Sequence, residues 1–292
     1  LPVAALFGLV RSSGVVGVDE KFVLVPKNDK PESKMRRWMY VYLAVDVHTY
    51  DLLHIAIYPH NTRASAHAFL LALRTKGYQP RVIVTDLRRD YGSVIAQVFS
   101  QAQHHECIFH AEQEVSRYLH KTWGRDYAEL HPEVEQVRQA MVKIFQVRTK
   151  RTARKRYQAL LQRQEEIIQC EPALQWVFDF LEQHWPYLVN AVGNDLIPAT
   201  NNATEMVIRR FDQHYQNFCG FESIESAQVY LGVFEKLYRF TPFSHDAQPK
   251  VRGKSPLQLA GYDLSHMPMD WLCRGFSLHW PVSMETKDVP NP

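Results

Sequence analysis

Apolar and polar positions in the first part of the chain form short runs typical of strands. "VVGVDEKFVLV", Val15 to Val25, is apolar at Val16, Val18, Phe22 and Leu24 around a polar Asp19-Glu20-Lys21 interruption. "WMYVYLAVDV" is rich in β-branched and aromatic residues, and "LLHIAIYP" follows it after the tight turn "HTYD". The polar stretch "NDKPESKMRR" separates the first two runs. This close spacing predicts three antiparallel strands in a meander. The period then changes. Ala66, Phe69, Leu70 and Leu73 make a stripe at helical spacing, with Asn61 or Thr62 as its cap and Gly77 as its stop. "RVIVTD" is a short, continuously apolar run of the kind buried in parallel sheets. A short helix over "YGSVIAQVF", a fifth strand over "HHECIFH" and a helix over "AEQEVSRYL" complete the order βββαβαβα.

That order is the one found in ribonuclease-H-like domains. From about Pro132 to Asn190 the character changes to helical periodicity with few Gly or Pro. This stretch holds a basic run from Arg148 to Arg156, which reads as a solvated helix face or, alternatively, as a phosphate-contacting patch. It also holds an aromatic-rich helix over "PALQWVFDFLEQHWPYLV". There, Trp176 and Trp185 favour core packing over stacking on a flipped base. Two further helices are expected after Thr200, broken at "NFCGFES" by Gly220 as C-cap and Ser223 as N-cap. The tail from Phe243 has little periodicity.

Composition narrows the class. Hydrophobic residues make up 46% of the 292, enough for a sizeable core, and charged residues 22%. A net charge of +3 is compatible with nucleic-acid binding without requiring it. The four cysteines Cys107, Cys170, Cys219 and Cys273 are scattered with no CxxC pair, so no disulfide framework is expected. No apolar run reaches transmembrane length. The N-terminal "LPVAALFGLVRSSG" reads as a fragment boundary rather than a signal peptide.

Three acids occupy telling positions. Asp19 interrupts the first strand, where Asp is depleted. Asp86 ends the fourth, and Glu205 sits in the first turn of a late helix. Neighbouring first and fourth strands would bring Asp19 and Asp86 together, and a helix packed on the sheet would add Glu205. Clustered carboxylates need a compensating charge, which hard divalent cations supply through oxygen ligands. Two such ions would serve in-line phosphoryl transfer. Each acid also has a plainer reading: a solvated strand residue, a turn cap, or a complement to the helix dipole. Asp46 and Asp90 compete with them, and spacing alone does not choose.

The surrounding words do. "GVDE", "VIVTDLRRDYGSVIAQVF", "HHECIFH" and "TNNATEMVIRRFDQHYQNFCGFES" together resemble the DDE transposases of bacterial insertion sequences, most of all the Mutator-type and IS256-like group with an ISL3-like flavour towards the end. "SPLQLAGYDL" resembles their closing segment. The resemblance implies an α/β ribonuclease-H-like fold, a mixed five-stranded sheet flanked by helices and interrupted by an all-α insertion. It implies catalytic, metal-binding roles for Asp19, Asp86 and Glu205, with two Mg²⁺ ions that Mn²⁺ may replace. Arg209 and Arg210 become DNA-binding candidates. Asn201 and Asn202 would cap the helix and support Glu205. The family's Cys-x-x-His falls on Cys107 and His110, as support rather than as a zinc pair, and His104 and His105 read as loop residues. The expected divisions are residues 1–12 (remnant of an N-terminal segment), 13–125 and 196–242 (the two parts of the catalytic core), 126–195 (the helical insertion) and 243–292 (a tail). The implied activity is metal-dependent cleavage at transposon ends and strand transfer into target DNA. The implied partners are terminal inverted repeats, target DNA and further copies of the chain, as a homodimer or higher oligomer in the synaptic complex, in the bacterial cytoplasm at the nucleoid. The competing readings are a transposase-derived DNA-binding protein that does not cut, and a metal-dependent nuclease of the same fold.

Overall fold

The computed structural model describes residues 6–26 and 36–265. Most of the polar stretch 28–37 and the last part of the tail, with Cys273, lie outside them. Three strands, β1 (Val15–Pro26), β2 (Arg36–Asp46) and β3 (Leu52–Tyr58), form the expected antiparallel meander. Helix α1 (Arg63–Thr75) follows, capped by the Thr62 side chain accepting from Ser65 N. Next come β4 (Val82–Thr85), α2 (Asp90–Val98) and β5 (Gln103–Glu106). Strand β4 lies parallel to both β1 and β5, so the sheet is mixed, in the order β3-β2-β1-β4-β5. This is the mixed five-stranded α/β sheet that the sequence pattern implies.

The alternation read in β1 divides the core. Val16 and Val18 face α1 and α2 in a cluster with Tyr42, Phe69 and Tyr91, whereas Val15, Val23 and Val25 point to the other side. That second face is covered by α9 (Asn202–Tyr215) and α10 (Ile224–Phe240), through Val207, Phe211, Leu231 and Phe234. Between α9 and α10 the chain reverses through left-handed Cys219 and through Gly220 (φ 110°), and α10 starts in a Ser223–Ser226 capping box.

Between β5 and α9 lie α3 (Ile108–Trp123), α4 (Tyr127–Leu130), α5 (Pro132–Phe145), α6 (Lys150–Leu161), α7 (Gln164–Cys170) and α8 (Gln175–Leu188). They share a separate apolar cluster that includes Val115, Met141, Phe178 and Leu181. Both tryptophans of the aromatic-rich helix are stacked within it, Trp176 on Tyr118 and Trp185 on Tyr157, each with ring centroids 4.2 Å apart. Helix α8 docks on β5. Asn190, just past it, donates to His104 O at 2.7 Å and accepts from Gln103 Nε2, while His105 Nδ1 lies 3.0 Å from Tyr187 O. The outer edge of the sheet is thereby covered rather than left open to pairing.

This docking corrects two expectations. The fifth strand stops at Glu106, and Ile108 to His110 already belong to α3. His104 and His105 are buried strand residues and not loop residues, because the helical insertion closes over them.

A buried ion pair ties the second face together. Arg239 of α10 donates through Nε and Nη2 to both oxygens of Asp51, at 2.8 and 2.7 Å. Burial pushes Asp51 up and the guanidinium pulls it back down. The two-pronged geometry is that of an ionised pair. We expect Arg239→Met to cost about 3–5 kcal/mol by stranding Asp51, and adding Asp51→Leu to recover part of that loss. Urea denaturation of both variants checks this.

Candidate active site

Strand register brings the first two acids together. Gly17 on β1 pairs with Val84 on β4, and Asp19 and Asp86 each lie two residues beyond that last pair. Asp19 accepts from Glu20 N at 2.8 Å, and Asp86 from Arg88 N at 3.1 Å. Burial, and then the Asp86 and Glu20 carboxylates, push Asp19 up to about 8. Both aspartates keep partial solvent access, so water reaching the groove eases that push. Asp86 is also raised, by burial first and by Glu20 second.

Glu205 arrives through a close helix–strand contact. At the start of α9, Asn201 is fully buried and donates to Val18 O at 3.2 Å, while accepting from Thr204 Oγ1 at 2.7 Å. A Cβ on Gly17 would stand 2.1 Å from Thr204 Oγ1 and 2.3 Å from Asn201 Oδ1. Glycine is the residue whose missing side chain lets the helix start rest on β1. Farther along, Lys21 pairs with Asp212 at 2.9 Å and Tyr215 OH accepts from Leu24 N at 2.6 Å, so α9 is tethered along β1. The expected capping differs in detail. The Asn201 side chain makes no cap hydrogen bond and is spent as a tether, while Asn202 is the exposed first residue of the helix.

His110, in the first turn of α3, completes the group. Its Nε2 lies 3.8 Å from Glu205 Oε1, too far for a hydrogen bond. The adjoining Cys107 thiol and the carboxylates of Asp19 and Glu205 push the imidazole up. His110 Nδ1 is buried without a hydrogen-bond partner. Glu205 Oε1 is likewise buried and unpartnered.

An unpartnered carboxylate oxygen beside two raised aspartates suits a hard divalent cation, whose charge would lower all three. The acids do not converge on one point. Among the described residues, the trio of donor atoms lying within 4.8 Å of one another is instead His131, Glu133 and Glu171 in the helical insertion.

The competing acids are accounted for. Asp46 accepts from Ser12 Oγ, Ser13 N, His48 N and Thr49 N, and so is saturated by its turn. Asp90 begins α2 and lies 3.6 Å from Arg88. Arg209 shares the Glu205 face of α9, with Nη2 4.0 Å from Glu205 Oε2 and its side chain exposed. Arg210 turns the other way and lines a recess with Tyr230 and Tyr238. Glu20 was missed by the sequence reading. Next to Asp19 in a strand, it necessarily points to the opposite face. There it accepts from Arg88, Asn61 and Tyr91 at 2.8, 2.8 and 2.6 Å. Arg88 thus links the Glu20 network to the Asp86 turn. Alternation along "VDEK" could have revealed that Glu20 faces away from Asp19, but not its partners.

Comparison with known proteins follows the same lines. The family model for the DDE domain of IS240-type transposases matches residues 16–164, about half of the chain. A solved structure titled Drosophila P element transposase strand transfer complex is similar at 12% identity and a TM-score of 0.24, covering 85% of this chain and 74% of that one. No curated protein matches.

Two outcomes are expected. Gly17→Ala should destabilise the fold by about 1–3 kcal/mol, because both clashing groups are buried and held by hydrogen bonds. A thermal melt reads this directly. A folded-state value for Asp19 raised from 3.8 to about 8 means that the native chain holds a proton which the unfolded chain releases. Metal-free stability should therefore fall as pH rises across that interval, and Asp19→Asn should flatten the profile. Urea midpoints at successive pH values decide, and an unaltered slope in the variant would refute the assignment.

Proposed function

This chain belongs to the DDE-domain family of IS240-type insertion-sequence transposases, and from that premise we propose that it cuts DNA at transposon ends and joins the freed ends to target DNA. What supports the proposal is the strand register that sets Asp19 of β1 beside Asp86 of β4, with His110 lying toward both Asp19 and Glu205 and one Glu205 oxygen left unpartnered.

Asp19, Asp86 and Glu205 would hold two divalent ions, Mg²⁺ or Mn²⁺. When bound, these ions activate water or a 3′-hydroxyl and stabilise the leaving oxygen of an in-line displacement. The chain's own residues do the remaining work. Asp19 and Asp86 are fixed by strand register, and Glu205 by the Asn201 tether, so little reorganisation is needed on binding. His110 offsets the carboxylate repulsion while the site waits for metal. Arg209, extended into solvent from the Glu205 face, reaches toward a scissile-strand phosphate. Arg88 holds the Asp86 turn through Glu20. We extend the reading to two copies of the chain, each engaging one transposon end, in the bacterial cytoplasm. No described helix is long and apolar enough to cross a membrane.

The test is cleavage of duplex carrying the element's own terminal repeats in Mg²⁺ or Mn²⁺. Asp19→Asn, Asp86→Asn and Glu205→Gln should each lower the rate on the order of 10³-fold or more, the equivalent of several kcal/mol of lost transition-state stabilisation. Their unfolding midpoints should not fall below wild type. Full activity in any one of them would remove that residue from the site, and wild-type binding of the ends without cleavage in either metal would favour a derivative that does not cut.

A further inference from the structure

The start of α6 concentrates positive charge that no ion pair among the described residues neutralises. Arg148, Lys150, Arg151, Arg154, Lys155 and Arg156 fall within nine residues, all exposed, and no acid stands among them. Arg156 donates to Lys143 O. The other five make no ion pair among the described residues. This arrangement is unfavourable in isolation. The cations crowd the positive end of the helix dipole, and Lys150–Arg154 and Arg151–Lys155 are like charges one turn apart. An ordinary solvated face mixes signs.

The charges border a shaped recess. Lys150, Arg151 and Arg154 line a cavity of 320 Å³ together with Trp185 and Val189. The Trp185 ring lies 4.2 Å from and nearly parallel to Tyr157, so one of its faces is taken. What remains is an apolar wall beside three cations, which suits a sugar–phosphate backbone better than an inserted base. The recess lies beside the segment that leads to α9. A Cβ on Gly193 would stand 2.7 Å from Arg148 O, so the segment leading to α9 packs on the start of α6. Lys150 is an electrostatic neighbour of His105 on β5, one residue before Glu106.

We propose that Lys150, Arg151 and Arg154, with Trp185 as their apolar wall, form a binding site for the phosphate backbone of duplex DNA flanking the cut. This rests on the transposase reading above and assigns part of its DNA to the helical insertion. The contact is independent of base sequence and of divalent metal.

Fluorescence anisotropy with a labelled 30-base-pair duplex, in EDTA and between about 50 and 200 mM salt, tests it. Relative to wild type, Lys150→Ala/Arg151→Ala/Arg154→Ala should weaken binding about tenfold or more. It should also make the slope of log affinity against log salt shallower by about two to three, near 0.9 per lost phosphate contact. Arg151→Lys/Arg154→Lys keeps the charges and should retain the slope. A control triple of exposed cations elsewhere, Arg63→Ala/Lys121→Ala/Arg125→Ala, should change it less. Wild-type affinity and slope in the first triple variant, or an equal loss in the control, would overturn this site alone. It would also be overturned if the first triple variant lost affinity for heparin but not for the duplex. Wild-type protein that does not bind duplex DNA at all would overturn the transposase reading with it. Circular-dichroism melts confirm that each variant is folded.

Discussion

The close approach of α9 to β1 is the contact on which the active site depends. It is possible because position 17 has no side chain. In the absence of a Cβ at Gly17, Asn201 and Thr204 settle onto the strand, and the Asn201 amide reaches Val18 O. Glu205 is the next residue after Thr204, so its carboxylate inherits its position from that contact. A helix held only by apolar packing could slide by a fraction of a turn. One seated in a glycine notch and tethered again at Asp212 and Tyr215 cannot do so without breaking polar bonds.

The same strand sorts charge between the two faces of the sheet. Asp19 points toward α9 and the groove, and Glu20 toward α1 and α2. The second carboxylate would worsen the crowding if it had no partner, but Arg88, Asn61 and Tyr91 satisfy it. Asp19 and Asp86 have no equivalent partners. Burial raises both, Asp86 and Glu20 add to the push on Asp19, and Glu20 adds to that on Asp86, an arrangement that is costly unless a cation or a proton arrives. The unpartnered oxygen of Glu205 belongs to the same imbalance.

The helical insertion does more than lengthen the gap between Asp86 and Glu205. Its helix α8 covers the edge strand β5, and α3, which precedes it, carries His110 toward Glu205. The Glu106–His184 contact at 2.6 Å and the Ile108 N to Ala199 O bond lie on either side of Cys107. Both ends of the insertion are therefore fastened beside the site, which gives the charged face of α6 a fixed relation to the groove.

Much of this was legible in the residues. Period-two alternation located the meander, the continuous apolar run located β4, and helical periodicity located the insertion, because each pattern follows from local backbone geometry. Asp19 and Asp86 were legible as acids out of place at strand positions. The end of β5 was misjudged because "CIF" suits a buried strand and a buried helix start equally well, and docking of α8 decided between them. The burial of His104 and His105 was hidden for the same reason. Glu20's partners, the tethering use of Asn201 and the divergence of Arg209 from Arg210 depend on contacts between segments far apart in sequence. The sequence by itself determined the elements, their order and the candidate acids. Only the tertiary structure decided which groups share a face, which charges are neutralised and which oxygen is left without a partner, because those are properties of distance in space.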